Sequence, residues 1–113
     1  MRTMIVAAVV AVSAVVMVAC GGGDSGPTPK DPVLAQGQQV FKAHCQTCHG
    51  NKGQGGTGMK LAGRMTQVYP NIAAQIAVIE NGSSSMPAWK NSLSAADINA
   101  VARYERECLG TTC

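Results

Sequence analysis

Aromatic side chains make up only 4% of these 113 residues. Phe41, Tyr69, Trp89 and Tyr104 are the full set, so a small domain built from them buries little apolar surface of its own. No alternating strand pattern runs beyond a few residues, which argues against a sheet. No internal repeat marks a solenoid. The net charge is +3, with its cations dispersed along the chain. That is too mild and too scattered for a nucleic-acid face. No glycine is followed, after four free positions, by Gly-Lys-Ser/Thr, which excludes a Walker-type phosphate loop.

What is present begins with a targeting segment. Met1-Arg2 gives a positive start, and Met4 to Ala19 is Ala, Val, Ile and Met interrupted only by Ser13. This run is short for a membrane span, which needs about 20 apolar residues, and fits the core of a signal peptide. Residues 1–19 are therefore read as a signal peptide. The run ends Met17-Val18-Ala19-Cys20-Gly21, which resembles a bacterial lipobox with Cys20 as the lipidated residue, although Met17 stands where leucine is usual. An uncleaved anchor is the alternative. Both place the domain outside the cytoplasm and tethered to a membrane. Gly21 in place of Asp resembles the outer-membrane sorting pattern of a two-membrane cell. Residues 20–32 then carry Cys20 and a Gly/Pro-rich linker. Its twelve residues after Cys20 have a reach on the order of 20 Å.

Residues 33–113 form the expected domain, an all-α unit of about three helices. Asp31-Pro32 reads as an N-cap and a first helical proline. The helix they start carries Leu34, Gly37, Val40 and Phe41 on one face and runs to about His44. Gly37 weakens a helix interior, so it marks a place where another backbone comes close. Residues 50–63 hold six glycines and read as loop. A second helix is expected over 70–81, with Ile72, Ile76 and Ile79 on its apolar face and Asn81-Gly82 at its end. The last helix starts at Ser94, with Asp97 three residues on and Leu93 and Ile98 as a hydrophobic staple. It continues through Ile98, Val101 and Ala102 to about Glu107.

The chemistry sits between the first helix and the glycine loop. Cys45-Gln46-Thr47-Cys48-His49 is a C-x-x-C-H sequence, the attachment pattern of a c-type haem. Two thiols add to two vinyl groups and the adjacent histidine ligates the iron. A redox dithiol would need a βαβ context, and a zinc site would need a second ligand pair. A covalent cofactor also supplies core that the sequence lacks. The second axial ligand must come from elsewhere. A thioether is soft, favours ferrous iron and raises the reduction potential. Met59, Met65 and Met86 lie downstream of His49, and Met86 is best placed. It follows a helix end and is fixed by Pro87. Of the five cysteines, Cys20, Cys45 and Cys48 are then used. Cys108 and Cys113 remain, and in an oxidising compartment they can pair, contributing roughly 2 kcal/mol.

These parts together resemble the small bacterial class I cytochromes c. The matching residues are Gly37 and Phe41, the C-x-x-C-H motif, Leu61-Ala62-Gly63-Arg64, Asn81-Gly82, Met86-Pro87-Ala88-Trp89 and Tyr104. The resemblance implies one covalent haem c held by Cys45 and Cys48, with His49 and Met86 as axial ligands. It implies a crossing of the first and last helices at Gly37, with Phe41 and Tyr104 packed there. It implies Arg64 as a hydrogen-bond donor to a haem propionate, with Trp89 as a second candidate. The implied function is electron carriage, not enzymatic conversion, between a quinol-oxidising complex and a terminal oxidase or other oxidoreductase. The exposed haem edge is expected near Gln46-Thr47 and the Ser83–Met86 loop. One departure stands out: the family usually has proline two residues before the Leu61 position, and here that place is Met59. The backbone carbonyl that orients His49 is therefore left open. So is a haem with a labile sixth ligand that binds peroxide or a gas.

Overall fold

The computed structural model describes residues 25–113. The signal segment, Cys20 and the first linker residues lie outside the described residues. Within them the chain is all helix and loop, with a lone antiparallel bridge between Ser83 and Met86.

Helix α1 spans Pro32–Val40. One carboxylate oxygen of Asp31 accepts from the N–H groups of Val33 at 2.8 Å and Leu34 at 3.4 Å, satisfying donors that have no partner inside the helix. The helix does not stop near His44. Over Phe41–Cys45 it widens into a π-helical turn, in which Gln46 N–H donates to the Phe41 carbonyl five residues back. It then continues as α2, Gln46–His49. The extra residue in that turn shifts the face that follows. Cys45 and His49 end up buried and Cys48 exposed.

Beyond the glycine loop, a short α3, Met65–Val68, forms in a stretch to which the sequence assigns no element. Helix α4 spans Ile72–Asn81, starting two residues later than expected because the Asn71 side chain caps it by accepting from Ala73 N–H at 2.9 Å. Helix α5 spans Ala95–Glu107. Its start is as read: Ser94 Oγ accepts from Asp97 N–H at 3.1 Å. Among the described residues the all-α expectation holds: the three main helices are present, with α2 and α3, each four residues long, and the π-helical turn added to them.

The core forms where α1 crosses α5. At Gly37 a Cβ would run into the Ala100 carbonyl oxygen and lie 2.7 Å from Tyr104 Cβ. Glycine there lets two backbones meet. Phe41 and Tyr104 pack beside the crossing with ring centroids 5.6 Å apart, and Ile98, Val101 and Ala102 complete the buried stripe of α5. Two polar ties flank it. Gln36 Nε2 donates to Asp97 at 2.7 Å, and Arg103 reaches Asp31 at 3.4 Å. The first is exposed and the second half-buried, and solvent screening keeps the contribution of each small.

The segment read as a flexible linker is held from Ser25 onward. Gln38, itself buried, donates from Nε2 to the carbonyls of Ser25, Gly26 and Pro27 at 3.4, 3.4 and 3.1 Å. Pro29 is buried too. At the other end a disulfide joins Cys108 to Cys113. Just inside it, the Leu109 carbonyl accepts from Gly63 N–H at 3.0 Å. The carboxyl terminus thereby pins the end of the glycine loop.

Helix α4 meets α5 through a buried polar pair. Gln75 Nε2 donates to Glu105 at 2.8 Å, with Gln75 2% and Glu105 6% exposed. Arg106 clamps the approach to α4, donating to the carbonyls of Tyr69 at 2.8 Å and Pro70 at 3.3 Å and to Gln75 Oε1 at 3.1 Å. Burial pushes the Glu105 carboxyl up from its ordinary 4.5 to about 7, against the opposing pull of the Gln75 hydrogen bond.

Two outcomes follow. Gly37→Ala should lower the denaturant midpoint, at a cost of about 2 kcal/mol or more by overpacking. Gln39→Ala, on the exposed side of the same helix, should stay within about 0.5 kcal/mol. Glu105 holds a proton in the folded state over a range where the unfolded chain has lost it. Its contribution is therefore complete below pH 4.5 and is lost as pH rises through about 7. Denaturation of wild type and Glu105→Gln side by side should show the difference moving in favour of the variant over that window. An unchanged difference would contradict it.

Candidate functional site

The π-helical turn and α2 aim three side chains of the C-x-x-C-H segment into one cavity of 540 Å³, lined by Cys45, Cys48 and His49. The volume falls within the range of about 300–1,000 Å³ typical of pockets for ligands of drug size. Apolar groups from the glycine loop, α3 and α4 close it, among them Leu61, Met65, Val78 and Ile79, while α5 contributes Glu105. The Ser83–Met86 turn brings Met86 to the same space. That turn is tied at both ends, by Met86 N–H to the Ser83 carbonyl at 2.8 Å and Ser83 N–H to the Met86 carbonyl at 3.2 Å. Ser84 at its tip sits at a φ of 51°, a region costly for a side chain that is not glycine.

His49 is fixed from behind. Its Nδ1 lies 2.8 Å from the Met59 carbonyl oxygen, so Nδ1–H donates there and Nε2 is left unprotonated and able to ligate a metal. The partner left open by the missing proline is the backbone carbonyl of the residue that replaces it. The Met59 side chain is 43% exposed. Gly58 stands against the imidazole: a Cβ there would lie 2.9 Å from both Cε1 and Nδ1. The loop is held close by Gly58 N–H to the Cys48 carbonyl and Gly55 N–H to the His49 carbonyl, both 2.8 Å. The glycines of residues 50–63 thus serve to wrap the loop around the histidine.

The cysteine chemistry also discriminates. Burial, with added repulsion from Glu105 and Cys48, pushes the Cys45 thiol up to about 12. A redox dithiol needs the opposite, a lowered and accessible thiol. The pair suits covalent attachment: Cys45 is buried and Cys48 exposed, and both line the cavity.

The remaining expected residues divide. Trp89 lines the cavity and packs on His44, with ring centroids 5.1 Å apart. Met65 is buried in the core and lines the cavity as well. Arg64 is not brought to the cavity. The turn in which Arg64 N–H donates to the Leu61 carbonyl at 3.0 Å puts Leu61 inward and leaves Arg64 exposed. Sequence reasoning missed Gln75, Glu105 and Arg106. A signal was available: Glu105 follows Ile98, Val101 and Ala102 at helical spacing, so a carboxyl falls on the apolar stripe of α5.

The parts present fit a covalent haem. Two thiols and a directed imidazole share an apolar cavity of suitable size, and a thioether enters it from a separate segment. Comparison with known proteins agrees. The sequence profile of a family described as cytochrome C oxidase, cbb3-type, subunit III, matches residues 32–104. The Cbb3-type cytochrome c oxidase subunit FixP of Azorhizobium caulinodans is 38% identical over 85 residues, 71% of this chain and 29% of that protein. The chain therefore spans less than a third of that subunit. Cytochrome c6 of Tetradesmus obliquus is 37% identical over 76 residues, 63% of this chain and 85% of that protein. Among solved structures, cytochrome c6C from Synechococcus sp. PCC 7002 superposes with a TM-score of 0.56 at 30% identity, covering 66% of this chain and 95% of the other. On its motif, its cavity and these matches, the chain belongs to the cbb3-type subunit III family of electron-carrying cytochromes c, has the class I cytochrome c fold, and carries one covalent c-type haem.

Proposed function

We propose that this chain is a membrane-tethered one-electron carrier whose haem iron is held between His49 and Met86. The observation that carries the reading is that the two side chains enter one apolar cavity from separate segments, α2 and the Ser83–Met86 turn. A covalent haem supplies the one-electron couple. The residues do the rest. Cys45 and Cys48 anchor the group, and the Met59 carbonyl keeps His49 in one tautomer. The tied turn holds the Met86 sulfur through both oxidation states, and the cavity walls exclude water, which limits reorganisation on electron transfer.

Respiratory partners are supported by the similarity to a protein described as a cbb3-type oxidase subunit. On this reading the chain passes electrons from a quinol-oxidising complex to a terminal oxidase or a related oxidoreductase. Thr47 and Ser83 to Ser85 are exposed beside the cavity, where a small, transient interface suits repeated docking. Cys20 would carry the lipid that keeps the domain outside the cytoplasm and near its membrane. Among the described residues no helix is long and apolar enough to cross one.

Met86→Ala should abolish the methionine–iron charge-transfer band of the ferric protein, while Met59→Ala should leave it intact. The reverse result would make Met59 the ligand, and ready carbon monoxide binding by ferrous wild type would contradict a closed sixth position. In cell fractionation, Cys20→Ala should move the protein from the membrane to the soluble extracytoplasmic fraction. Retention in the membrane would contradict the lipid anchor.

A further inference from the structure

A carboxylate buried against an apolar cofactor cavity is costly in its charged form. Glu105 is such a group. It lies on the inward stripe of α5, is 6% exposed, and lines the same cavity as Cys45, Cys48 and His49. The Gln75 amide needs an acceptor at this position, but a neutral amide oxygen would serve it as well as a carboxylate and at a lower desolvation cost. Ile98, Val101 and Ala102 already make the helix crossing.

The surroundings of Glu105 leave it free to change charge. From α4, Gln75 faces it with a neutral amide that donates at 2.8 Å. Arg106 is engaged on the far side of that amide and on two backbone carbonyls. From the π-helical turn, Cys45 faces it, and as a thioether Cys45 is uncharged. Tyr69, His44 and His49 line the cavity with it. On the outer face of α5, Arg103 is paired with Glu107 and Asp31. Among the described residues, no ion pair joins Glu105 to a cation. On the electron-carrier reading, the haem iron would change its charge by one beside this group.

We propose that Glu105 is a proton-binding site coupled to the haem, so that the protein takes up a proton with its electron. The proposal rests on the electron-carrier reading. One electron arrives from the redox partner and one proton from solvent; the Glu105 carboxylate becomes a neutral carboxylic acid, and on oxidation both leave. The direction follows from charge. The ferric centre carries one more positive charge than the ferrous one and favours the carboxylate beside it. Loss of that charge favours the acid. Coupling is reciprocal, so an ionised Glu105 must in turn favour the ferric state. The raised proton affinity of the buried carboxyl, at about 7, puts the exchange near neutral pH.

The test is the midpoint potential of the mature holoprotein, titrated from about pH 5 to about pH 9 in wild type and Glu105→Gln. In wild type the potential should fall with rising pH, by up to about 59 mV per unit between the two Glu105 pKa values. Glu105→Gln should lose most of that slope and keep only the part due to propionates. Equal slopes in the two proteins would overturn the proposal. Should the variant fail to fold, redox-difference infrared spectra of wild type decide. A carboxylic-acid band that grows on reduction and shifts with 13C-glutamate supports the proposal, and its absence overturns it. A protein with no reversible one-electron couple would fail the carrier reading instead, which either measurement reveals separately.

Discussion

The close meeting of two helix backbones at Gly37 and Ala100 is the constraint on which the rest of the structure depends. Because α1 lies directly on α5, Phe41 and Tyr104 interlock beside the contact and the apolar stripe of α5 is buried. The exit from α1 is then set. The π-helical turn and α2 emerge at a fixed point over α5, and with them the two cysteines and His49. Looser packing at the crossing would leave the C-x-x-C-H segment without a defined direction, and the loop that follows would have nothing to wrap. The docked Ser25–Pro27 segment reinforces the arrangement through Gln38 on one side.

Backbone hydrogen bonds hold in place the loops whose side chains close the cavity. The glycine loop returns N–H groups to the Cys48 and His49 carbonyls and offers the Met59 carbonyl to the imidazole. Leu109, beside the Cys108–Cys113 disulfide, receives the end of that loop. The methionine turn is closed by its own pair of backbone bonds. A chain poor in aromatic residues therefore builds its site from short, mutually bonded loops around a covalent group, and the group itself completes the core.

Much of this was legible in the residues, and the parts that were not have physical reasons. The C-x-x-C-H motif, the caps at Asp31 and Ser94 and the glycine in the first helix each carry a local signal that tertiary structure has no cause to override. The boundaries of α1 and α4 drifted because a π-helical turn has no sequence signature and because Asn71 outcompeted Pro70 as the helix start. The short α3 went unseen because four residues are too few to show periodicity. The resemblance implies Arg64 as a donor to a haem propionate; the turn after Leu61 leaves Arg64 exposed and outside the cavity lining, a local orientation that no sequence pattern encodes. Helical spacing puts Tyr104 or Glu105 on the next turn of the buried face, but the partner that satisfies the carboxyl lies thirty positions earlier in the chain, where no local pattern reveals it.

That the helix crossing delivers Cys45 and Cys48 as the two anchors of one haem is tested most directly by mass spectrometry of the mature protein and its peptides. The predicted result is one peptide containing Cys45, Cys48 and His49 that carries the mass of a single haem on both sulfurs. A second peptide should hold Cys108 and Cys113 as a disulfide. Recovery of Cys45 and Cys48 as free thiols, or joined to each other, in protein taken from its native compartment would contradict the account.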